Sequence, residues 1–113
     1  MNEEIILKSE DGVGIITLNR PERLNALTYN IVQKMNDFLD KCESHDDIKC
    51  VIIEGAGEKA FCAGGDVVSL RKQVLDEGGP PTELSEKFFY DEYLLNYKIN
   101  NFTKPYIALI DGV

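Results

Sequence analysis

The amino-acid sequence predicts an α/β fold in a single modest domain. Four short apolar segments are typical of strands, and three longer segments repeat apolar residues at intervals of three or four, as helices do. These segments follow one another in the order β-β-α-β-α-α-β, which favours an α/β architecture. The 113 residues, 43% of them hydrophobic, are sufficient for one globular core.

The first half of the chain predicts a β-hairpin, a helix and a third strand. Residues 4–9 and 13–18 are predicted strands, joined by a turn at Asp11-Gly12. Residues 28–43 form the predicted helix, because their apolar side chains fall at helical spacing and Thr28 is a suitable N-cap. Residues 49–54 are predicted to be a buried strand that leads into a glycine-containing loop.

The second half predicts two helices and a last strand. Residues 67–75 form a short predicted helix, which the glycines and prolines of residues 76–81 bring to an end. Residues 82–101 are the longest predicted helix, with Thr82 as its candidate cap. Residues 105–110 are predicted to be another buried strand, and Asp111-Gly112 ends it.

Charge and composition restrict the classes of partner. Twenty acidic residues against twelve basic ones give a net charge of −8, which argues against nucleic acid or an anionic membrane surface. The acidic start has neither a secretory signal nor an Arg-rich transit peptide, so we expect an intracellular protein, cytosolic or already processed. The three cysteines are odd in number and contain no C-x-x-C pair, which predicts reduced thiols.

Small residues and two glycines follow the third strand, in the segment Lys59-Ala60-Phe61-Cys62-Ala63-Gly64-Gly65-Asp66. Backbone N–H groups at such a strand end can approach a ligand closely and can hold a developing oxyanion. The alternative is a tight turn in which the glycines only supply positive φ. Cys62 is a weak candidate nucleophile, because no His follows it and His45, the one His, lies in a polar segment typical of a surface.

Two further loops carry patterns with more than one interpretation. Gly55-Ala56-Gly57-Glu58-Lys59-Ala60 fits the dinucleotide pattern G-x-G-x-x-G/A, but no helix is predicted to start within it, which argues against a Rossmann site. The loop at residues 20–27 has two arginines before a helix start. It could receive phosphate or a base, or it could be an ordinary solvated loop.

One position of the longest predicted helix interrupts an apolar stripe. The stripe consists of Leu84, Phe88, Leu95, Ile99 and Phe102, and Glu92 occupies the gap in its middle. A carboxylate on an apolar stripe is costly unless it is paired or lines a cavity, so Glu92 is a candidate site residue. The alternatives are a Glu at the edge of the stripe that reaches solvent, or one paired with Lys98 or Lys104.

Taken in order, the segments resemble the crotonase (enoyl-CoA hydratase/isomerase) superfamily from about Val13 to Val113. The matching pieces are Gly14-Ile15-Ile16-Thr17-Leu18-Asn19-Arg20-Pro21, Leu24-Asn25-Ala26-Leu27, Val51-Ile52-Ile53, Phe61-Cys62-Ala63-Gly64-Gly65-Asp66 and Lys104-Pro105-Tyr106-Ile107-Ala108-Leu109-Ile110-Asp111-Gly112. The resemblance implies a crotonase-like ββα spiral fold, of which residues 1–113 are the N-terminal part of a single domain. It also replaces the plain-turn interpretation of the glycine loop.

Within the superfamily, two features are similar to the 3-hydroxyisobutyryl-CoA hydrolases. They are Gly64-Gly65-Asp66, where many hydratases have Gly-Ala-Asp, and the helix sequence Phe88-Phe89-Tyr90-Asp91-Glu92-Tyr93-Leu94-Leu95-Asn96. The implied reaction is hydrolysis of 3-hydroxyisobutyryl-CoA to 3-hydroxyisobutyrate and CoA, a step of valine catabolism. Hydration or isomerisation of an enoyl-CoA, and non-catalytic CoA binding, remain alternatives.

The resemblance also implies roles for particular residues. Gly65 gives an oxyanion-hole N–H, and Glu92 contacts substrate. Asp66, Val67 and Val68 lie along the acyl-CoA. The residues implied in CoA binding are Arg23, Leu24 and Ala26.

The family further implies an acyl-CoA ester as partner, with neither metal nor redox cofactor, since CoA is part of the substrate. It implies an oligomer for the complete protein and a mitochondrial location, although cytosolic and peroxisomal locations stay open. The second oxyanion N–H and the hydrolase's catalytic Glu and Asp come after Val113 in the family. We therefore expect the 113 residues alone to be inactive.

Overall fold

The structure, a computed structural model, describes residues 3–76 and 83–112. Within them, a four-stranded sheet is combined with three α-helices and a single-turn 3₁₀ helix. The strands are β1 (Ile5–Glu10), β2 (Val13–Leu18), β3 (Cys50–Gly55) and β4 (Tyr106–Leu109), and the helices are α1 (Tyr29–Ser44), α2 (Val67–Asp76) and α3 (Glu83–Asn100). The 3₁₀ helix is Pro21–Arg23.

The sheet is mixed, with strand order β1-β2-β3-β4. β1 pairs with β2 in antiparallel register, whereas β3 is parallel to both β2 and β4. Asp11 and Gly12 have φ angles of 51° and 82°, the left-handed pair of values that a two-residue hairpin turn needs. The predicted α/β fold and hairpin are therefore confirmed.

α1 covers one face of the sheet and forms the core with it. Thr28 caps this helix, because its side-chain oxygen accepts a hydrogen bond from the Ile31 N–H at 3.2 Å. The buried apolar residues of the core belong to α1, to the first three strands and to α3, and they are Ile5, Ile16, Leu18, Ile31, Val32, Met35, Leu39, Cys42, Val51, Ile53 and Leu95. The helical spacing that predicted α1 thus marks the face that packs on the sheet.

α3 packs against α1, as its apolar stripe predicts. Phe88 and Leu95 are buried, and Ile99 and Phe102 are partly buried against the core. The Leu84 side chain and the predicted cap Thr82 lie outside the described residues. None of the helices in the described part of the chain is long and apolar enough to span a membrane.

The prediction of a buried strand at residues 105–110 was wrong in its burial. β4 is shorter, Tyr106–Leu109, and Ile107 and Leu109 are 44% and 51% exposed. β4 lies at the edge of the sheet, where it pairs with β3 alone among the described strands, and Tyr106 is its one described residue that packs against the core. The side chains of the other β4 residues are therefore left uncovered. Apolar composition predicted the strand correctly, but it cannot say which layers cover a strand.

Candidate functional site

The glycine loop leaves the end of β3 and is built through close backbone approaches. A Cβ placed on Gly55 would contact the carbonyl oxygen of Phe61 and would lie 2.7 Å from Nδ2 of Asn25. Gly64 has φ of +83°, a conformation that L side chains rarely adopt, although the space around it is open. Glycine is therefore needed at Gly55 for space and at Gly64 for backbone conformation.

The loop at residues 20–27 runs beside the glycine loop and is hydrogen-bonded to it. The Ala63 N–H donates to the Leu24 carbonyl at 3.0 Å, and the Leu27 N–H donates to the Gly64 carbonyl at 2.7 Å. The Asp66 N–H donates to the Leu27 carbonyl at 2.7 Å, which completes a parallel bridge between Leu27 and Gly65. The fold thus brings together the two loops to which the sequence resemblance assigned CoA and the oxyanion.

The bridge geometry determines the direction of the Gly65 peptide groups. Leu27 bonds to the residues on either side of Gly65, so the N–H and C=O of Gly65 itself point away from Leu27. None of the hydrogen bonds among the described residues uses the Gly65 N–H. Gly65 also lies just before α2, at a helix N-terminus where the backbone dipoles favour negative charge. The Gly65 N–H is therefore an available donor at the N-terminus of a helix.

Glu92 of α3 lies directly over this glycine. A Cβ placed on Gly65 would be 3.5 Å from Glu92 Oε1 and 3.6 Å from the ring of Phe88, one helical turn earlier. The two lysines considered as partners of Glu92 are engaged elsewhere. Lys98 pairs with Asp40 at 2.9 Å, and Lys104 Nζ donates to carbonyl oxygens at the C-terminal end of α1.

Asp66 is buried and pairs with a largely buried arginine. Its Oδ2 lies 2.8 Å from Nη1 of Arg20, and the two side chains are 8% and 11% exposed. The same Arg20 nitrogen donates to the Ala26 carbonyl at 2.8 Å, and Nε lies 3.7 Å from Glu4. This ion pair joins the start of α2 to the loop at residues 20–27. The contact of Asp66 with an acyl-CoA stays a prediction.

The other predicted ligand-binding residues belong to the same part of the fold. Val68 is 71% exposed on the first turn of α2, and the Val67 side chain lies outside the described part of the chain. Arg23 and Leu24 are exposed, and Leu24 has φ of 54°. Ala26 is half-buried, and its carbonyl accepts the Arg20 hydrogen bond. All of them lie on the two loops or on α2.

Asn25 is a residue of this site to which sequence reasoning assigned no role of its own. It is 1% exposed, and its Nδ2 group donates to the carbonyl oxygens of Ala56 and Ala60 at 2.9 Å each. Its Oδ1 accepts from the Arg20 N–H at 2.8 Å. The available signal was residue type, since Asn tolerates left-handed φ and Asn25 has φ of 56°. Asn25 therefore links the two loops through buried hydrogen bonds.

Cys62 supports the loop rather than supplying a reactive thiolate. Its Sγ accepts a hydrogen bond from the Gly64 N–H at 3.3 Å. Burial raises the pKa of the Cys62 thiol, although the Gly64 hydrogen bond opposes the shift. His45 is exposed at the C-cap of α1, where its ring contacts the Lys41 carbonyl. Cys62 thus keeps its proton at neutral pH, as expected of a thiol without an adjacent base.

A mainly apolar cavity opens beside Cys62. It has a volume of about 220 Å³, and the residues that line it include Leu27, Phe61, Cys62, Leu95, Asn96 and Tyr106. Leu95 and Asn96 lie one helical turn after Glu92 on α3. Burial raises the pKa of the Tyr106 hydroxyl to about 12. The cavity can accept a small apolar group beside Phe61 and Cys62 of the glycine loop.

Together these groups can stabilise a developing negative charge and contact a polar substituent. A backbone N–H at a helix N-terminus is suited to an oxyanion, and a carboxylate opposite is suited to a hydroxyl or to proton transfer. The family model of the enoyl-CoA hydratase/isomerase proteins matches residues 13–113. The chain belongs to the enoyl-CoA hydratase/isomerase family. Its fold is therefore the crotonase fold.

Individual curated proteins resemble the chain along nearly its whole length. A mitochondrial 3-hydroxyisobutyryl-CoA hydrolase of Danio rerio is 44% identical over 110 residues, 97% of this chain and 28% of the relative. The small ribosomal subunit protein mS47 of Neurospora crassa is 40% identical over 98% of this chain and 22% of its own length. The chain thus spans about a quarter of the curated relatives it matches.

A solved structure has the same fold. The carnitinyl-CoA dehydratase of Mycobacterium thermoresistibile superposes with a TM-score of 0.89 at 39% sequence identity, and the match covers 99% of this chain and 32% of the dehydratase.

Proposed function

We propose that the complete protein hydrolyses the thioester of 3-hydroxyisobutyryl-CoA, releasing 3-hydroxyisobutyrate and CoA. The observation that carries the proposal is the approach of Glu92 to Gly65, with Oε1 3.5 Å from the Cβ position of the glycine. It joins the glycine loop to the helix whose sequence resembles the hydrolases. The hydrolase named among the relatives supports the same assignment and a mitochondrial location.

The proposed chemistry follows from the charge that develops on a thioester. When water or a nucleophile adds to the carbonyl carbon, negative charge accumulates on the carbonyl oxygen. The Gly65 N–H donates to that oxygen, and one such donor stabilises the transition state by roughly 3–4 kcal/mol. The N-terminus of α2 adds its favourable field at the same position. In this proposal the complete protein supplies a second donor and the remaining acidic groups.

Substrate binding is divided between the loops and the cavity. Arg23, Leu24 and Ala26 bind the CoA moiety, since they lie on the loop that is hydrogen-bonded to the glycine loop. The branched acyl group enters the cavity beside Cys62, and Glu92 accepts a hydrogen bond from the acyl hydroxyl. The proposed reaction needs neither a metal ion nor a redox cofactor.

A second candidate is hydration or isomerisation of an enoyl-CoA, which the similarity to a carnitinyl-CoA dehydratase favours. Both reactions use an oxyanion hole on a thioester carbonyl, so the Gly65 geometry suits either. They differ in the bond that changes, because hydrolysis breaks the carbon–sulfur bond and hydration leaves it intact.

The test uses the complete protein and two substrates. Free thiol released from 3-hydroxyisobutyryl-CoA is followed with a disulfide chromogen, and hydration of crotonyl-CoA is followed by loss of absorbance. Rapid thiol release with slow hydration is the expected result. Rapid hydration without thiol release would exclude the hydrolase and support the enoyl-CoA hydratase candidate. Binding of CoA without either reaction would exclude both enzymes.

The role of the Gly65 N–H is tested with a matched pair of variants. Gly65→Pro removes the N–H, whereas Gly65→Ala keeps it and adds a Cβ whose nearest neighbours are at 3.5–3.6 Å, ordinary contact distances. We expect Gly65→Pro to lower kcat much more than it weakens CoA-ester binding, and Gly65→Ala to remain active. Circular dichroism checks that both variants fold. Equal kcat in the two folded variants would remove Gly65 from the oxyanion hole.

A further inference from the structure

Asn36 is a buried polar residue at the contact between α1 and α3. It is 7% exposed, and its Nδ2 group donates to the backbone carbonyl of Asp91 at 3.2 Å. None of the described residues donates a hydrogen bond to its Oδ1. A buried acceptor without a donor costs stability, so this amide is a poor stabiliser of the helix pair. An apolar side chain of similar size would pack there at less cost.

The carbonyl that accepts the Asn36 hydrogen bond belongs to Asp91, the residue just before Glu92. A hydrogen bond from the Asn36 side chain to this backbone carbonyl restricts both the translation of α3 along its axis and its rotation about that axis. Since successive helical side chains are about 100° apart, the direction of Glu92 is set by the position of the Asp91 peptide. A rotation of α3 there would move Glu92 Oε1 away from Gly65.

Tyr29, which lies two turns before Asn36 on α1, contacts the turn of α3 that contains Asp91. Hydrogen bonding to the Asp91 carboxylate raises the pKa of the Tyr29 hydroxyl, and burial adds to the shift. The Tyr29 ring packs against Phe88, with centroids 6.2 Å apart. α1 therefore contacts both the residue before Glu92 and the residue one turn before it.

We propose that Asn36 is a positioning residue, which orients Glu92 toward the glycine loop through the Asp91 carbonyl. The inference rests on the proposed function, because it assumes that Glu92 contacts the substrate. It predicts that Asn36 affects turnover by acting through Glu92 and has little effect on the stability of the fold.

The experiment is a double-mutant cycle in the complete protein, made of Asn36→Leu, Glu92→Gln and the double variant. We expect Asn36→Leu to lower kcat at least about tenfold, since small misplacements of a substrate-contacting group are costly. In the Glu92→Gln background the same change should lower kcat less than about twofold, because the group that Asn36 positions is already lost. KM should change less than kcat.

Two further variants separate positioning from a general loosening of the helix pair. Asp40→Asn breaks the pair between the exposed Asp40 and the partly buried Lys98, which also joins these two helices, and it should leave kcat unchanged. Tyr29→Phe keeps the ring contact with Phe88 but removes the hydroxyl at Asp91. It should lower kcat in protein that keeps Glu92 and leave kcat unchanged in protein that carries Glu92→Gln. Thermal unfolding of each variant identifies any that fails to fold.

The inference is overturned if Asn36→Leu and Tyr29→Phe fold and retain wild-type kcat. It is also overturned if Asn36→Leu lowers kcat by the same factor in both backgrounds. Failure of the proposed function looks different, because wild-type protein would then release no thiol from 3-hydroxyisobutyryl-CoA. If it hydrates crotonyl-CoA instead, the same cycle is measured on that reaction.

Discussion

Replacing Asp66 with asparagine removes one charge of the buried pair that joins the loop at residues 20–27 to α2. The Asp66 and Arg20 atoms are 2.8 Å apart. At that distance two unit charges attract by about 6 kcal/mol for an effective dielectric constant of about 20. Desolvation of both groups offsets part of this attraction. In Asp66→Asn the desolvation cost of Arg20 remains, because the guanidinium keeps its buried position without the Asp66 charge.

We therefore expect Asp66→Asn to lower the free energy of unfolding by about 3 kcal/mol. Breaking a buried pair costs about 3–5 kcal/mol, and the lower end applies because Glu4 stays 3.7 Å from the guanidinium. Urea titration of the complete protein, followed by circular dichroism, measures the change. Because the pair fixes the loop beside Gly65, CoA-ester binding should weaken in parallel.

Glu10→Gln is the control, since it breaks the exposed pair of Lys8 and Glu10, whose atoms are 3.8 Å apart. A surface pair of this kind contributes at most about 1 kcal/mol, so the control should unfold nearly as wild type does. The reasoning would be refuted if Asp66→Asn and Glu10→Gln had the same free energy of unfolding.

Two other predictions concern stability. Gly55→Ala should destabilise the complete protein by about 1–3 kcal/mol in urea titration, because its Cβ would meet the Phe61 carbonyl. Gly65→Ala, whose Cβ would have neighbours only at ordinary contact distances, is its control, and equal stability of the two variants would contradict the close approach. Burial raises the pKa of Tyr106 to about 12 from its ordinary value of 10.0, so the unfolded state loses this proton first as pH rises. Stability should then fall between about pH 10 and 12, and Tyr106→Phe should flatten that fall; equal slopes for variant and wild type would exclude the shift.

The spacing of apolar residues predicted the helices and strands well, because an element that buries one face must repeat apolar residues at its own period. β2 has the predicted bounds, α1 begins after the predicted N-cap Thr28, and the hairpin turn is at Asp11 and Gly12. Glu92 was found as the gap in an apolar stripe, and it lies against the glycine loop. In each case the deciding interaction is local, or it repeats at a fixed spacing along the chain.

The contacts that sequence reasoning missed join residues far apart in the chain. Nothing near Asn36 indicates that its amide would meet the Asp91 carbonyl, and nothing near Asp66 indicates a buried Arg20. The exposure of β4 depends on which elements of the fold pack against its side chains. Tertiary pairing decides these features, and single-sequence periodicity carries no information about it.

The central claim is that Glu92 and the glycine loop act on one thioester. The direct measurement is kcat for 3-hydroxyisobutyryl-CoA hydrolysis by the complete protein carrying Glu92→Gln, with Glu86→Gln, an exposed Glu on the same helix, as control. Loss of a hydrogen bond to a charged group, about 1.5–3 kcal/mol, predicts a decrease of at least about tenfold for Glu92→Gln and none for the control. Wild-type kcat in a folded Glu92→Gln variant would contradict the account.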